Sequence, residues 1–138
     1  MGTNEERAER LEREAQDAIA GFRVEDGIRL VGEALAIRQA FQGEGHQDLI
    51  WPLSLWIEAL RQEHHADSAL EAARLGERRL ALRRAALAGA PDELACSLRE
   101  LIDLYNFEYD VLDAPRVDEL RRELATLSET GRTAGHEV

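Results

Sequence analysis

Four groupings of side chains have the composition for chemistry. His64 and His65 stand together between Glu63 and Asp67, a set that could suit a divalent metal. Zinc, however, takes helical ligands from one face, as in an i, i+4 pair, and adjacent residues on a helix point in different directions. A solvated turn is the plainer expectation, and no metal ligand is assigned. Cys96 is the single cysteine. A nucleophilic thiol needs a base beside it, and no histidine is near in sequence, so a small apolar filler is expected. Glu58 and Asp103 could pair as carboxylates for acid–base work, yet a solvated rim explains them without any reaction. Arg74, Arg78, Arg79, Arg83 and Arg84 crowd one helical stretch. Glu71 and Glu77 lie within i, i+4 reach of some of them, so a salt-bridged outer face is expected, with an anion site as the sharper alternative. No Gly-rich phosphate loop and no catalytic signature accompanies these groups. The reading is therefore no catalytic residue, no metal and no cofactor.

The elements that must position these side chains read as six helices. Asn4 is a good N-cap for a first helix that reaches Ala20, with Glu5 and Glu6 in its first turn and Gly21 as its stop. Glu6–Arg10 and Glu9–Arg13 have the i, i+4 spacing of stabilising pairs. Leu11, Ala15, Ala18 and Ile19 make a narrow apolar stripe. A second helix runs from about Val24 to Phe41, lined by Ile28, Val31 and Leu35. After the loop Gly43-Glu44-Gly45-His46, a third begins near Asp48 and carries Leu53, Trp56, Ile57 and Leu60. Pro52 is tolerable there because it falls in the first turn. A fourth, capped by Asp67 or Ser68, runs to about Leu87. Gly89-Ala90-Pro91 then opens a fifth, with Leu94, Leu98, Leu101, Ile102 and Tyr105. Asp113 can cap a sixth, holding Val117, Leu120, Leu124 and Leu127. Residues 128–138 turn polar and are expected to be disordered.

Composition bounds the rest. A chain of 138 residues suits one domain, here residues 1–127. Hydrophobic residues are 44 % but aromatics only 5 %, so the core must be Leu, Ala, Ile and Val, a palette that favours helices over sheet. All 17 basic residues are Arg; lysine is absent. A net charge of −11 opposes binding to duplex nucleic acid or to anionic lipid. Apolar runs are too short to span a bilayer, and the N-terminus has no signal-peptide pattern. A cytoplasmic protein is expected.

The strongest pattern is internal similarity. Leu35-Ala36-Ile37-Arg38-Gln39-Ala40 returns 45 residues later as Leu80-Ala81-Leu82-Arg83-Arg84-Ala85. Leu53, Trp56, Ile57 and Leu60 are answered at the same offset by Leu98, Leu101, Ile102 and Tyr105. A fixed period of this size, built from two helices, is the signature of a solenoid. The units are about 4–42, 47–88 and 91–127.

The segment Glu33-Ala34-Leu35-Ala36-Ile37-Arg38, with Gly43 to His46 and Asp48-Leu49, resembles the kinesin light chain-type tetratricopeptide repeat. Leu94 to Tyr105 is similar to that family's first helix. The small residue expected early in the second helix is Gly27, Ala69 and Ala114 in the three units. The family's turn glycine is replaced by His64 or a neighbour, and by Tyr109 in the third unit. His46 sits where the family commonly carries a loop histidine. The resemblance implies an all-α fold, a right-handed α-solenoid of three antiparallel helix pairs, whose first helices line a concave face where peptides bind. Setting Leu11, Leu53 and Leu98 as equivalent implies that Glu9, Glu12 and Gln16 face that groove. Trp51, Ser54, Glu58, Arg61 and Gln62 follow from the second unit, and Arg99, Asp103, Asn106 and Phe107 from the third. Arginines there could grip a carboxylate, with Trp51 and Phe107 as aromatic anchors.

The expected function is a non-catalytic adaptor that binds a protein or peptide partner, with no nucleic acid and no membrane involved. Two alternatives stand beside it. One is self-association into a homo-oligomer through incompletely capped repeat edges, as an assembly or regulatory protein. The other is an accessory protein or enzyme that takes a small molecule near Trp51.

Overall fold

The computed structural model describes residues 3–43, 45–86, 91–107 and 110–136, with backbone alone for residues 86, 91, 107, 110, 111 and 128–136. Among these, six helices carry the fold: α1 (Asn4–Ala20), α2 (Val24–Gln42), α3 (Ile50–Gln62), α4 (Ala66–Ala86), α5 (Pro91–Tyr105) and α6 (Ala114–His136). A single 3-10 turn, Gln47–Leu49, precedes α3. Two-residue strands β1 (Asn106–Phe107) and β2 (Asp110–Val111) pair antiparallel between α5 and α6. No strand was expected there. Each helix packs on the next in sequence, and α1 also reaches α3.

The helix ends follow local chemistry, with some shifts from expectation. Thr3, not Asn4, caps α1: its Oγ1 accepts the Glu6 N–H at 3.1 Å, leaving Asn4 as the first helical residue. Asp113 Oδ1 accepts the Arg116 N–H at 3.1 Å and starts α6. Two histidines act as caps. His46 Nδ1 accepts the Asp48 N–H at 3.1 Å, and His65 Nδ1 accepts the Asp67 N–H at 3.2 Å. Pro52 lies buried in the first turn of α3, where no intrahelical acceptor awaits its missing N–H. α6 runs on through 128–136, where disorder was expected; Leu124 and Leu127 pack against the core just before that stretch. Leu87, Gly89, Ala90 and Tyr109 lie outside the described residues.

Gly21 ends α1, but the left-handed residue is its neighbour. Phe22 has φ 60°, the Phe22 N–H donates to Ile19 O, and the Arg23 N–H donates to Ala18 O at 2.8 Å. These two bonds form a Schellman closure, which usually places glycine where Phe22 sits. His64, 42 residues later and in the turn between α3 and α4, has φ 49°. The same interval separates the ends of α1 and α3, at Ala20 and Gln62, and the starts of α2 and α4, at Val24 and Ala66.

Three apolar clusters form the core. One joins Ala15, Ile19 and Val31 to Leu55 and Ala59. Another joins Leu35, Leu49 and Leu53 to Leu82. The largest joins Ile57 and Leu60 to residues of α4, α5 and α6, including Leu80, Leu98, Leu101, Tyr105 and Leu120. Trp56 packs against all three, which makes it the joint of the fold. Close helix approach is set by glycines. A Cβ on Gly27 would come within 2.7 Å of Ile19 Cγ1, and one on Gly76 within 2.9 Å of Leu101 Cδ1.

Candidate functional site: a charged groove beside Trp51

An open groove of about 810 Å³ lies beside Trp51. Its walls come from five helices. α1 contributes Glu5 and Glu9, α2 contributes Arg38, and the segment opening α3 contributes Asp48, Ile50, Trp51 and Ser54. α4 contributes Arg79 and Arg83, and α5 contributes Glu93 and Glu100. Trp51 is 48 % exposed, because it takes the second position of α3, one residue before the buried Pro52. Trp56, one and a half turns on, faces inward.

The groove floor is built from arginines tied to carboxylates. Arg38 Nε and Nη2 donate to Glu12 Oε2 and Oε1, both at 2.7 Å. The two side chains are 8 % and 4 % exposed. The hydrogen bond to Glu12 holds the Arg38 guanidinium even more firmly protonated than usual, against the opposing effect of burial. Arg79, also buried, donates from Nη1 to Ser54 Oγ at 3.0 Å and from Nη2 to Glu100 Oε2 at 2.7 Å. Burial dominates there and lowers its pKa. Arg83 Nη1 donates to Ser97 Oγ at 2.8 Å and lies 3.5 Å from the same Glu100 oxygen. Arg38 and Arg83 are the matching arginines of the internal repeat, and both end at the groove.

This arrangement corrects two expectations. Glu12 does not face an open groove; it is on the buried side of α1 and neutralises Arg38 from below. The arginine strip on α4 is not an outer face paired with Glu71 and Glu77 along the same helix. Four of its five members reach neighbouring helices instead: Arg78 to Gln39, Arg79 and Arg83 to Glu100, and Arg84 to Glu123. Glu77 turns to α6, accepting from Arg116 Nε at 2.6 Å and Nη2 at 2.7 Å, and from Tyr105 Oη at 2.9 Å. Burial pushes the Glu77 carboxyl up, but these donors outweigh it and leave it below its ordinary value. Burial, then the Glu77 carboxylate, pushes the Tyr105 phenol up to about 12.

The expected site residues do not converge on one place. Trp51 and Ser54 line the main groove, although Ser54 is engaged by Arg79. Arg61, Asp103 and Asn106 line a second cavity of about 200 Å³ with His64 and His65, at the opposite end of α3. Gln62 supports structure: its Nε2 donates to Ile19 O at 3.0 Å, joining α3 to α1. Glu58 and Arg99 are exposed and line neither cavity. Glu58 and Asp103 are likewise not brought into one pocket. Phe107 is described in backbone only, within β1. Cys96 is exposed rather than a core filler, with Sγ 3.7 Å from Glu100 Oε1. Glu6–Arg10 and Glu9–Arg13 make no ion pair among the described residues.

Arg38, Arg79 and Glu100 were not expected at the groove they line. The one available signal, for Arg38, was its repetition at Arg83 among similar apolar residues. Among the described residues, no group of three or more His, Cys, Asp or Glu is arranged to hold a metal ion. No described helix is long and apolar enough to cross a membrane. No protein-family model and no curated protein matches the chain.

Proposed function

We propose that the chain is a non-catalytic adaptor that binds an extended segment of a partner protein in the groove beside Trp51. The observation that carries this reading is the half-exposed Trp51 on the wall of an open groove of about 810 Å³. Large aromatics in depressions are favoured anchors of protein interfaces. An open trough suits a chain better than a small molecule, which is usually enclosed over most of its surface. The ionisable groups on the groove floor are held in structural pairs, which fits a rigid binding surface.

The reading extends to architecture. We take the six sequentially packed helices as three helix pairs of a right-handed solenoid similar to tetratricopeptide repeats. The matched left-handed turns at Phe22 and His64, the small residues at Gly27 and Ala69, and the repeated arginines support it.

Selection from a random peptide library displayed on phage tests the function, with Trp51→Ala as the counter-selection. Peptides that bind the parent and not the folded variant are the expected result. Enrichment indifferent to Trp51 would move the binding surface elsewhere.

A further inference from the structure

The groove's charge identifies the chemistry of its partner. Five carboxylates and three guanidiniums line it: Glu5, Glu9, Asp48, Glu93 and Glu100 against Arg38, Arg79 and Arg83. Each guanidinium has a carboxylate within reach, two of them sharing one. Arg38 is neutralised by Glu12 beneath it, and Arg79 and Arg83 both meet Glu100. Three wall carboxylates have no such partner, although Glu9 acts on Arg38 through space. Glu5, Glu9 and Glu93 are exposed and make no ion pair among the described residues. The walls therefore carry surplus negative charge around an exposed indole, on a chain whose net charge is −11.

We infer that the groove of the proposed peptide-binding site takes a basic segment, with an arginine or lysine side chain packed against Trp51 and its charge among Glu5, Glu9 and Glu93. The inference rests on the peptide-binding reading above and adds the sign of the ligand. An indole face attracts a cation, most often a guanidinium. A concave surface of one sign also focuses its field and raises the local concentration of the opposite charge. An acidic segment would compete with Glu100 for Arg79 and Arg83 among the other wall carboxylates, and like charges juxtaposed across an interface oppose binding.

Three heptapeptides alternating leucine with arginine, glutamate or serine provide the probes. Binding is read from intrinsic fluorescence, with Trp51→Phe identifying the part of the signal that comes from Trp51, and from titration calorimetry. The arginine peptide should bind roughly tenfold more tightly than the serine peptide, as expected of a cation–aromatic contact with partly exposed ion pairs. The advantage should shrink as salt rises. Glu9→Arg with Glu93→Arg should abolish that preference, and Glu9→Gln with Glu93→Gln should reduce it without reversing a charge. Both pairs are on the surface, and circular dichroism checks their fold. Preference for the glutamate peptide would overturn the inference and assign the groove to anions through Arg79 and Arg83. Equal binding of all three would overturn it while leaving the peptide groove in place. No binding of any peptide would count against both.

Discussion

Replacing Arg38 by Met should destabilise the protein far more than an arginine on a helix surface would. Arg38 and Glu12 are 8 % and 4 % exposed and share two hydrogen bonds of 2.7 Å. Met keeps most of the hydrocarbon but leaves the Glu12 carboxylate buried with no counter-charge. Breaking a buried pair from one side typically costs about 3–5 kcal/mol, a large share of the roughly 5–15 kcal/mol that holds a domain folded. For a chain of this size that corresponds to a fall in Tm of about 10–17 °C. Urea denaturation followed by circular dichroism measures it directly. The double variant Glu12→Leu with Arg38→Met should recover much of the loss, because a well-packed apolar pair can replace a buried ion pair with little penalty. An Arg38→Met variant within about 1 kcal/mol of the parent would refute the argument, since the pair would then behave as a solvated one. A double variant no better than the single would assign the loss to packing rather than charge.

Three further outcomes follow from particular contacts. Gly27→Ala should destabilise by about 1–3 kcal/mol, because its Cβ would sit 2.7 Å from Ile19 Cγ1; chemical denaturation reads this. Phe22→Gly should stabilise by up to about 1 kcal/mol, since φ is 60° there and the ring is 79 % exposed; a lower denaturation midpoint would mean that the ring is needed for packing. The Tyr105 phenol is raised from 10.0 to about 12 in the folded chain. A raised pKa contributes stability that is whole below the unfolded value, so the urea midpoint should fall between about pH 10 and 12, and this part of the fall should vanish in Tyr105→Phe.

The helical skeleton was legible because its signals are local. Pro91, Gly21, Asp113 and the apolar spacing each act within a turn or two. Leu53 and Leu98, aligned by the internal repeat, are both fully buried. The groove was only partly legible. Trp51 and Ser54 were found, but the register that placed Glu12 beside them follows helix rotation alone. Whether Glu12 faces solvent or core depends on Arg38, 26 residues away, and no helical period connects them. The α4 arginines were misassigned for the same reason: i, i+4 arithmetic compares partners on one helix, whereas their partners are on α2, α3, α5 and α6. Phe22 concealed its turn because side chains of that size rarely adopt a positive φ. The β1–β2 pair is too short for any alternating pattern to announce it.

The proposed binding surface is Trp51 and its groove. The two tryptophans provide a direct test, since each gives one indole N–H signal in a heteronuclear NMR spectrum. Titration with a peptide selected on the parent should shift the Trp51 indole and the backbone amides of Glu9, Ser54 and Glu93, leaving the core Trp56 nearly unmoved. Saturable shifts confined to another face, with the Trp51 signal unchanged, would contradict the account.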